Sequence, residues 1–442
     1  MRIQLSDSFT YKKLLRFTLP SIAMMVFTSI YGVVDGFFVS NYAGLTPFAA
    51  VNFIMPVLMI MGAAGFMFGT GGSALVAKTL GEGNAEKARR NFSLFVYTSF
   101  ICGLVIAILG IIFLPQIASL LGAEGELLEN CVTYGRIILA ALPFFMTQLG
   151  FQSFFITAEK PQLGLFVTIA SGVTNMVLDL LLVAVFSMGL VGAALATALS
   201  QAVGGIVPLV YFSRKNTSLL RLCKTNFDKR ALLKACTNGS SELLSNVSMS
   251  LVGVLYNIQL MAYAGENGVA AYGVLMYVSF VFNAIFIGYS IGTAPVVGYH
   301  FGAKNENELK SMLSKSIRII IISSVSMLLI AELLAAPFAN IFVGYDEELF
   351  ELTCRGFMIY SFCFLFSGTA IFGSSFFTAL NDGLTSAIIS FMRTLVFQVA
   401  AVLILPLIWD IDGIWISVVV AELMAVILTV FFLKLKRKKY GY

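Results

Sequence analysis

Charge is scarce in this chain. Asp, Glu, Lys and Arg make up 12% of its 442 residues, where soluble domains carry about 25%. That shortage excludes an ordinary water-soluble fold. Histidine occurs once, as His300, so a histidine-built metal or acid–base centre is excluded and His300 is expected to be non-catalytic. The six cysteines are scattered without a CxxC pair, which argues against a disulfide framework or a zinc site. No glycine-rich phosphate loop of the Walker type appears. The longest polar connection, residues 214–234, is too short to build its own core. No cleavable secretory signal stands apart from the first apolar run, so the N-terminus reads as mature. With no nucleophile–base pair or metal cluster in view, the expectation is neither an enzyme nor a cofactor protein.

Apolar residues fill the rest. The chain is 59% hydrophobic with a mean hydropathy of +0.91. Runs near the roughly 20 residues that cross a bilayer as a helix lie at about 14–38, 48–77, 91–114, 132–156, 160–184, 190–213, 231–263, 268–300, 315–336, 353–377, 382–407 and 412–433. They are continuous rather than alternating, so helices satisfy the backbone in lipid. The sequence predicts an all-α polytopic membrane protein with twelve transmembrane helices.

The basic residues choose a side. All but Arg136, Arg355 and Arg393 of the 28 lysines and arginines precede helix 1 or follow an even-numbered helix. The positive-inside rule makes that side cytoplasmic, with both termini inside a plasma membrane. The opposite loops "NYAGLTP", "GAEGELLE" and "GYDEELFE" are neutral or acidic. The net charge of +5 therefore expresses topology and contact with anionic lipid, and gives no reason to invoke nucleic acid.

An internal repeat divides the chain. "SIYGVVDGFFVSNYAG" (29–44) resembles "SLVGVLYNIQLMAYAG" (250–265), "GEGNAEK" (81–87) faces "GAKNENE" (302–308), and "GFQSFFITA" (150–158) faces "IFGSSFFTA" (371–379). Each pair is offset by 221, half of 442. The reading is two pseudo-symmetric six-helix bundles, residues 1–213 and 235–442, joined by a cytoplasmic linker at 214–234. Six is even, so the repeats are parallel and related by an axis along the membrane normal. Two such bundles leave a central cleft, and rocking opens it to alternate sides, as in secondary transporters. The expectation is a monomer that binds small molecules within the bilayer.

"LPSIAMMVFTSIYGVVDGFFV" in helix 1, "NMVLD" in helix 5 and the repeated segment after helices 2 and 8 resemble the multidrug and toxic compound extrusion (MATE) family, in its DinF/MepA-like branch. The resemblance spans essentially the whole chain. It implies export of amphipathic organic cations and other drugs in exchange for H+ or Na+. It also implies a cation site made from Asp35, Asn175, Asp179 and Thr197. The segment "GFMIYSFCFLFSGTAIFGSSFFTA" of helix 10 has no carboxylate, unlike the sodium-driven branch in which acidic residues of the second half carry the ion. Coupling is therefore expected in the first half.

Read on their own, these residues point the same way. A carboxylate inside a membrane helix is costly and marks function by default. Residues four apart share a helix face, which pairs Asn175 with Asp179, Thr197 with Gln201, and Gln148 with Gln152. Together they outline a polar pocket in the first half. The offset of 221 carries Asp35 to Tyr256, Asn175 to Val396, Asp179 to Ala400 and Thr197 to Val418. The scaffold repeats and the polar site does not, which favours function over structural hydrogen bonding. Two carboxylates in a dehydrated pocket cannot both ionise cheaply. They can exchange a proton or, with Asn175 and Thr197, hold sodium; the sequence leaves both open.

Pro20 removes a helix hydrogen bond and is a candidate hinge for helix 1. Arg393 and Glu422 lie at similar depth on consecutive helices, and a structural ion pair is expected, since buried charges need partners. Met276 and Tyr277 are weak candidates for the cleft wall, where aromatic faces attract organic cations. The competing readings are a flippase of lipid-linked saccharide precursors, a major facilitator and an intramembrane enzyme. The flippase needs a large cationic cleft, and Arg393 is the single unambiguous mid-membrane cation. The loop after helix 2 lacks the facilitator pattern, and no reactive cluster supports the enzyme.

Overall fold

The computed structural model describes residues 3–39, 42, 45–344 and 346–442. Arg2 and parts of "NYAGLTP" and "GYDEELFE" lie outside the described residues. Among the described residues twelve helical spans follow one another. α1 is Tyr11–Phe38. α2 joins Leu45–Gly62 to Ala64–Gly81, and α3 is Ala85–Leu120. α4 joins Gly125–Ala140 to Leu142–Thr157 through a bend of 57°, with Pro143 opening its second part. α5 is Pro161–Leu178 and continues as a π-helix over Asp179–Val185. α6 is Gly189–Ser213. Helix runs from Lys229 to Gly302 apart from a break at Gly265 (φ 59°, ψ −149°), which separates α7 (229–264) from α8 (266–302). α9 is Glu306–Val343. α10 runs from Glu347 to Ala379 with one tight turn at Ser361–Cys363. α11 comprises Gly383–Phe391, a π-helix at Met392–Val396, and Phe397–Ile404. Helix over Pro406–Tyr440 is interrupted by non-helical backbone at Trp409 and Asp410, after which α12 spans 411–440.

Apolar runs underestimate several helices. α9 starts before the expected 315 and α12 runs past the expected 433, because those ends (306–314 and 434–440) are rich in polar and charged residues that form helix well outside lipid. α7 begins at Lys229, so the end of the expected linker is helical. Its start is set by Asp228, whose Oδ1 accepts from the Arg230 and Ala231 amides at 2.9 and 3.1 Å.

The bundles meet at the end that carries both termini, called here the basic end. α2 packs on α7 closely enough that a Cβ on Gly71 would lie 2.0 Å from the Ala235 carbonyl oxygen. The repeat-related contact sets Gly288 and Gly292 of α8 against Ser21, Ile22 and Thr18 of α1. Asn381 joins three elements there. Its Nδ2 donates to the Ala74 carbonyl at 3.3 Å, and its Oδ1 accepts from Asn238 at 2.7 Å. A strap formed by residues 3–10 crosses the same end. The Leu5 amide donates to Glu159 of the first bundle, and the Phe9 amide donates to Glu308 of the second, each at 2.8 Å. His300, buried at the end of α8, lies 3.3 Å from the Asp7 carbonyl oxygen.

The opposite end is looser. One apolar core runs through both bundles at the basic end, whereas the outer part of the first bundle has a separate core that includes Ile54, Leu114, Tyr134 and Val183. In the outer parts of α1, α7 and α8, a Cβ added to Gly32, Gly36, Gly253 or Gly273 would meet no atom within 4 Å. Close backbone packing between the bundles is therefore found at the basic end and not around these glycines.

Candidate functional site

α1, α5 and α6 bring four polar side chains together inside the first bundle. Thr197 Oγ1 donates to Asp35 Oδ1 and accepts from Asn175 Nδ2, both at 3.4 Å. Asp35 also faces Asn175 and Asp179, which are adjacent on one face of α5. Asp179 is 0% exposed, and among the described residues no N–H or hydroxyl donates to its carboxylate oxygens, which face the Asp35 carboxyl at hydrogen-bond range. Asn175 Oδ1 is unpartnered as well. The pocket thus presents acceptor oxygens with too few donors. An ionised carboxylate buried this way is costly; a proton or a hard cation, which takes oxygen ligands, removes the cost.

Two features of this pocket are absent from the sequence reading. The helix changes from α to π at Asp179 itself, a distortion often found at functional sites. Tyr134, buried on the first part of α4, stands beside Thr197, Asp35 and Asp179. Nothing in composition distinguishes it among 16 tyrosines. Its repeat position is Arg355, so the symmetry comparison extended to helix 4 would have drawn attention to it.

A hydrogen-bonded path leads inward from the cluster. Ser200 Oγ donates to the Thr197 carbonyl at 2.8 Å, Ser171 Oγ donates to the Ser200 carbonyl at 2.7 Å, and Gln148 Nε2 donates to Ser171 Oγ at 3.3 Å. Gln148, Gln152 and Gln201 are all buried within the first bundle. Gln148 and Gln152 line a crevice of about 10 Å³ beside Phe151 and Thr168, room for about one water. Met276 and Tyr277 stand apart in the second bundle. Met276 packs on the apolar core, and Tyr277 stacks on Phe342 with centroids 6.0 Å apart. Pro20 lies inside α1, which is continuous through it.

The second bundle fills the equivalent place with neutral groups. Tyr256, the counterpart of Asp35, donates to Gln398 Oε1 at 2.7 Å. Its ring stacks on Tyr272 at 5.4 Å, and Tyr272 stacks on Trp415 at 6.5 Å. The charges of this bundle sit elsewhere. Arg393 Nε donates to both carboxylate oxygens of Glu422, at 2.8 and 3.0 Å. Arg393 belongs to the π segment of α11, so in both bundles the fifth helix carries a charged residue within a π turn.

Known proteins share this organisation. The MatE family profile matches twice, at residues 20–181 and 243–404. The multidrug export protein MepA of Staphylococcus haemolyticus is 29% identical over 318 residues, covering 72% of this chain and 69% of that protein. MepA of Staphylococcus aureus strain MSSA476 is 23% identical over 430 residues, covering 96% and 94%. A crystal structure of a MATE protein in complex with MaL6 superimposes with a TM-score of 0.93 at 23% identity, covering 98% of each chain. The chain belongs to the MatE family, a family of transporters rather than enzymes, in its MepA-like branch.

Proposed function

We propose that this protein is a secondary multidrug exporter of the plasma membrane, working as a monomer with both termini in the cytoplasm. It exchanges amphipathic organic cations for H+ or Na+ taken up at Asp35, Asn175, Asp179 and Thr197. The observation that carries this reading is Asp179: fully buried, set against the Asp35 carboxyl, and with no N–H or hydroxyl donor to either oxygen. A group in that state is suited to bind and release a cation as water reaches it.

The open and closed ends support the direction of exchange. With the basic end closed and the packing loose at the other, the pocket of the first bundle lies on the outer side. Ion uptake there and substrate release share one conformation. Closing the outer end and parting the basic end exposes the cleft to cytoplasmic substrate. The test is reconstitution into liposomes with ethidium, imposing a pH gradient and a sodium gradient separately. Dye movement driven by one of them supports the reading and identifies the ion. Folded protein that moves no dye under either gradient overturns it and favours lipid-linked saccharides as cargo.

A further inference from the structure

A second polar cavity lies at the basic end, on the outer surface of the first bundle. It occupies about 310 Å³ between the first turns of α3 and the linker that precedes α7. That volume is at the small end of ligand sites and suits a headgroup better than a whole drug. Lys87, Arg90 and Lys224 line it, with Asp228 as the single acid. Asp228 is engaged in capping α7, and Arg90 pairs with the exposed Glu86 at 2.6 Å. Among the described residues neither the Lys87 nor the Lys224 ammonium has an ion-pair or hydrogen-bond partner, so the cavity carries excess positive charge.

One wall of the cavity holds a polar group with no other use. Asn91 lines it, is 5% exposed, and its side-chain amide has no hydrogen-bond partner among the described residues. Its amide is open to the cavity, where a ligand can reach it. An anionic oxygen in the cavity would accept from the Asn91 amide and from both lysines.

The surroundings favour one source for that oxygen. Leu94 forms part of the cavity, and below it the same face of α3 continues as Tyr97, Ile101, Leu104 and Ile108, each at least 40% exposed. The spacing of three and four residues keeps them in one stripe, which descends roughly 20 Å into the apolar band. Phe227, 77% exposed, projects from the linker beside the cavity, as aromatics do at membrane interfaces. A basic pocket at the head of an apolar stripe matches a phosphate group with an acyl chain attached. We propose that this cavity is a binding site for the phosphodiester of an anionic phospholipid from the leaflet at the basic end.

The test uses the full-length protein, delipidated in detergent, and measures binding of phosphatidylglycerol against phosphatidylcholine with the same chains. Phosphatidylglycerol is expected to bind more tightly, and Lys87→Gln with Lys224→Gln to weaken it roughly thirtyfold. Asn91→Asp, which keeps both lysines, is expected to weaken it as well. Lys12→Gln with Arg16→Gln removes the same charge from the same end outside the cavity and is expected to change it little. Equal affinity for both lipids, or equal losses in the two double variants, would overturn the site. Displacement of phosphatidylglycerol by millimolar inorganic phosphate alone would overturn the lipid assignment.

Discussion

Gly81 and Gly302 make the same contact in opposite directions. A Cβ on Gly81 would fall 2.0 Å from the Tyr299 carbonyl oxygen, and one on Gly302 would fall 2.0 Å from the Lys78 carbonyl oxygen. Both the glycines and the carbonyls are 221 residues apart. The repeat therefore closes the basic end by backbone contact at equivalent points of α2 and α8, which a side chain at either glycine would obstruct.

Gly302→Val should bias the protein against the state closed at the basic end. Overpacking costs about 1–3 kcal/mol, enough to shift a two-state equilibrium roughly 5- to 150-fold. Spin labels at exposed Glu86 and Glu306 would report the distance across that end. A larger population of long distances is expected; a distribution identical to that of the unsubstituted protein would contradict the packing argument.

Arg393 and Glu422 should behave as a unit. Removing one partner leaves a buried charge uncompensated, at a cost of about 3–5 kcal/mol. Arg393→Gln or Glu422→Gln is expected to reduce the yield of folded protein, and exchanging the two residues to restore part of it. Full folding of both single variants would rule out a structural role for the pair.

Asp382 gives a pH-dependent prediction at the basic end. Burial pushes its carboxyl up, but hydrogen bonds from Lys436, Tyr440 and Thr385 outweigh this and hold it below the usual carboxylate range. A depressed folded-state value stabilises the protein above the unfolded value of about 3.9, and that contribution is lost as pH falls through the folded-state value. Asp382→Asn should lower thermal stability at neutral pH, by about 1.5–3 kcal/mol, and the difference from the unsubstituted protein should shrink in acid. A difference constant down to pH 2 would exclude this linkage.

Pro20 lies in a continuous helix in this conformation, so its proposed hinge role concerns the transition. Pro20→Ala gives α1 one more hydrogen bond and should stiffen it. Reduced gradient-driven transport with intact folding is expected. Normal transport together with unchanged pH-dependent crosslinking of α1 would remove Pro20 from the mechanism.

Hydropathy and the offset of 221 made the twelve spans and their division legible, because lipid imposes length and apolarity on every helix. Helix ends were less legible where charged residues such as Lys436 continue a helix beyond the bilayer. The cluster of Asp35, Asn175, Asp179 and Thr197 was visible because polar residues stand out in apolar runs. Tyr134 did not, since a tyrosine is ordinary at a helix surface and only packing brings it to Asp179. The strap at residues 3–10 was hidden for a similar reason. Its contacts with Glu159 and Glu308 use backbone amides, which every sequence supplies.

Asp179 is the residue proposed to carry the coupling ion. The most direct measurement compares the unsubstituted protein with Asp179→Asn in liposomes, recording both ethidium exchange without a gradient and uphill accumulation under the gradient that drives transport. The expected result is retained exchange with accumulation lost. Accumulation at the unsubstituted level by Asp179→Asn would contradict the claim.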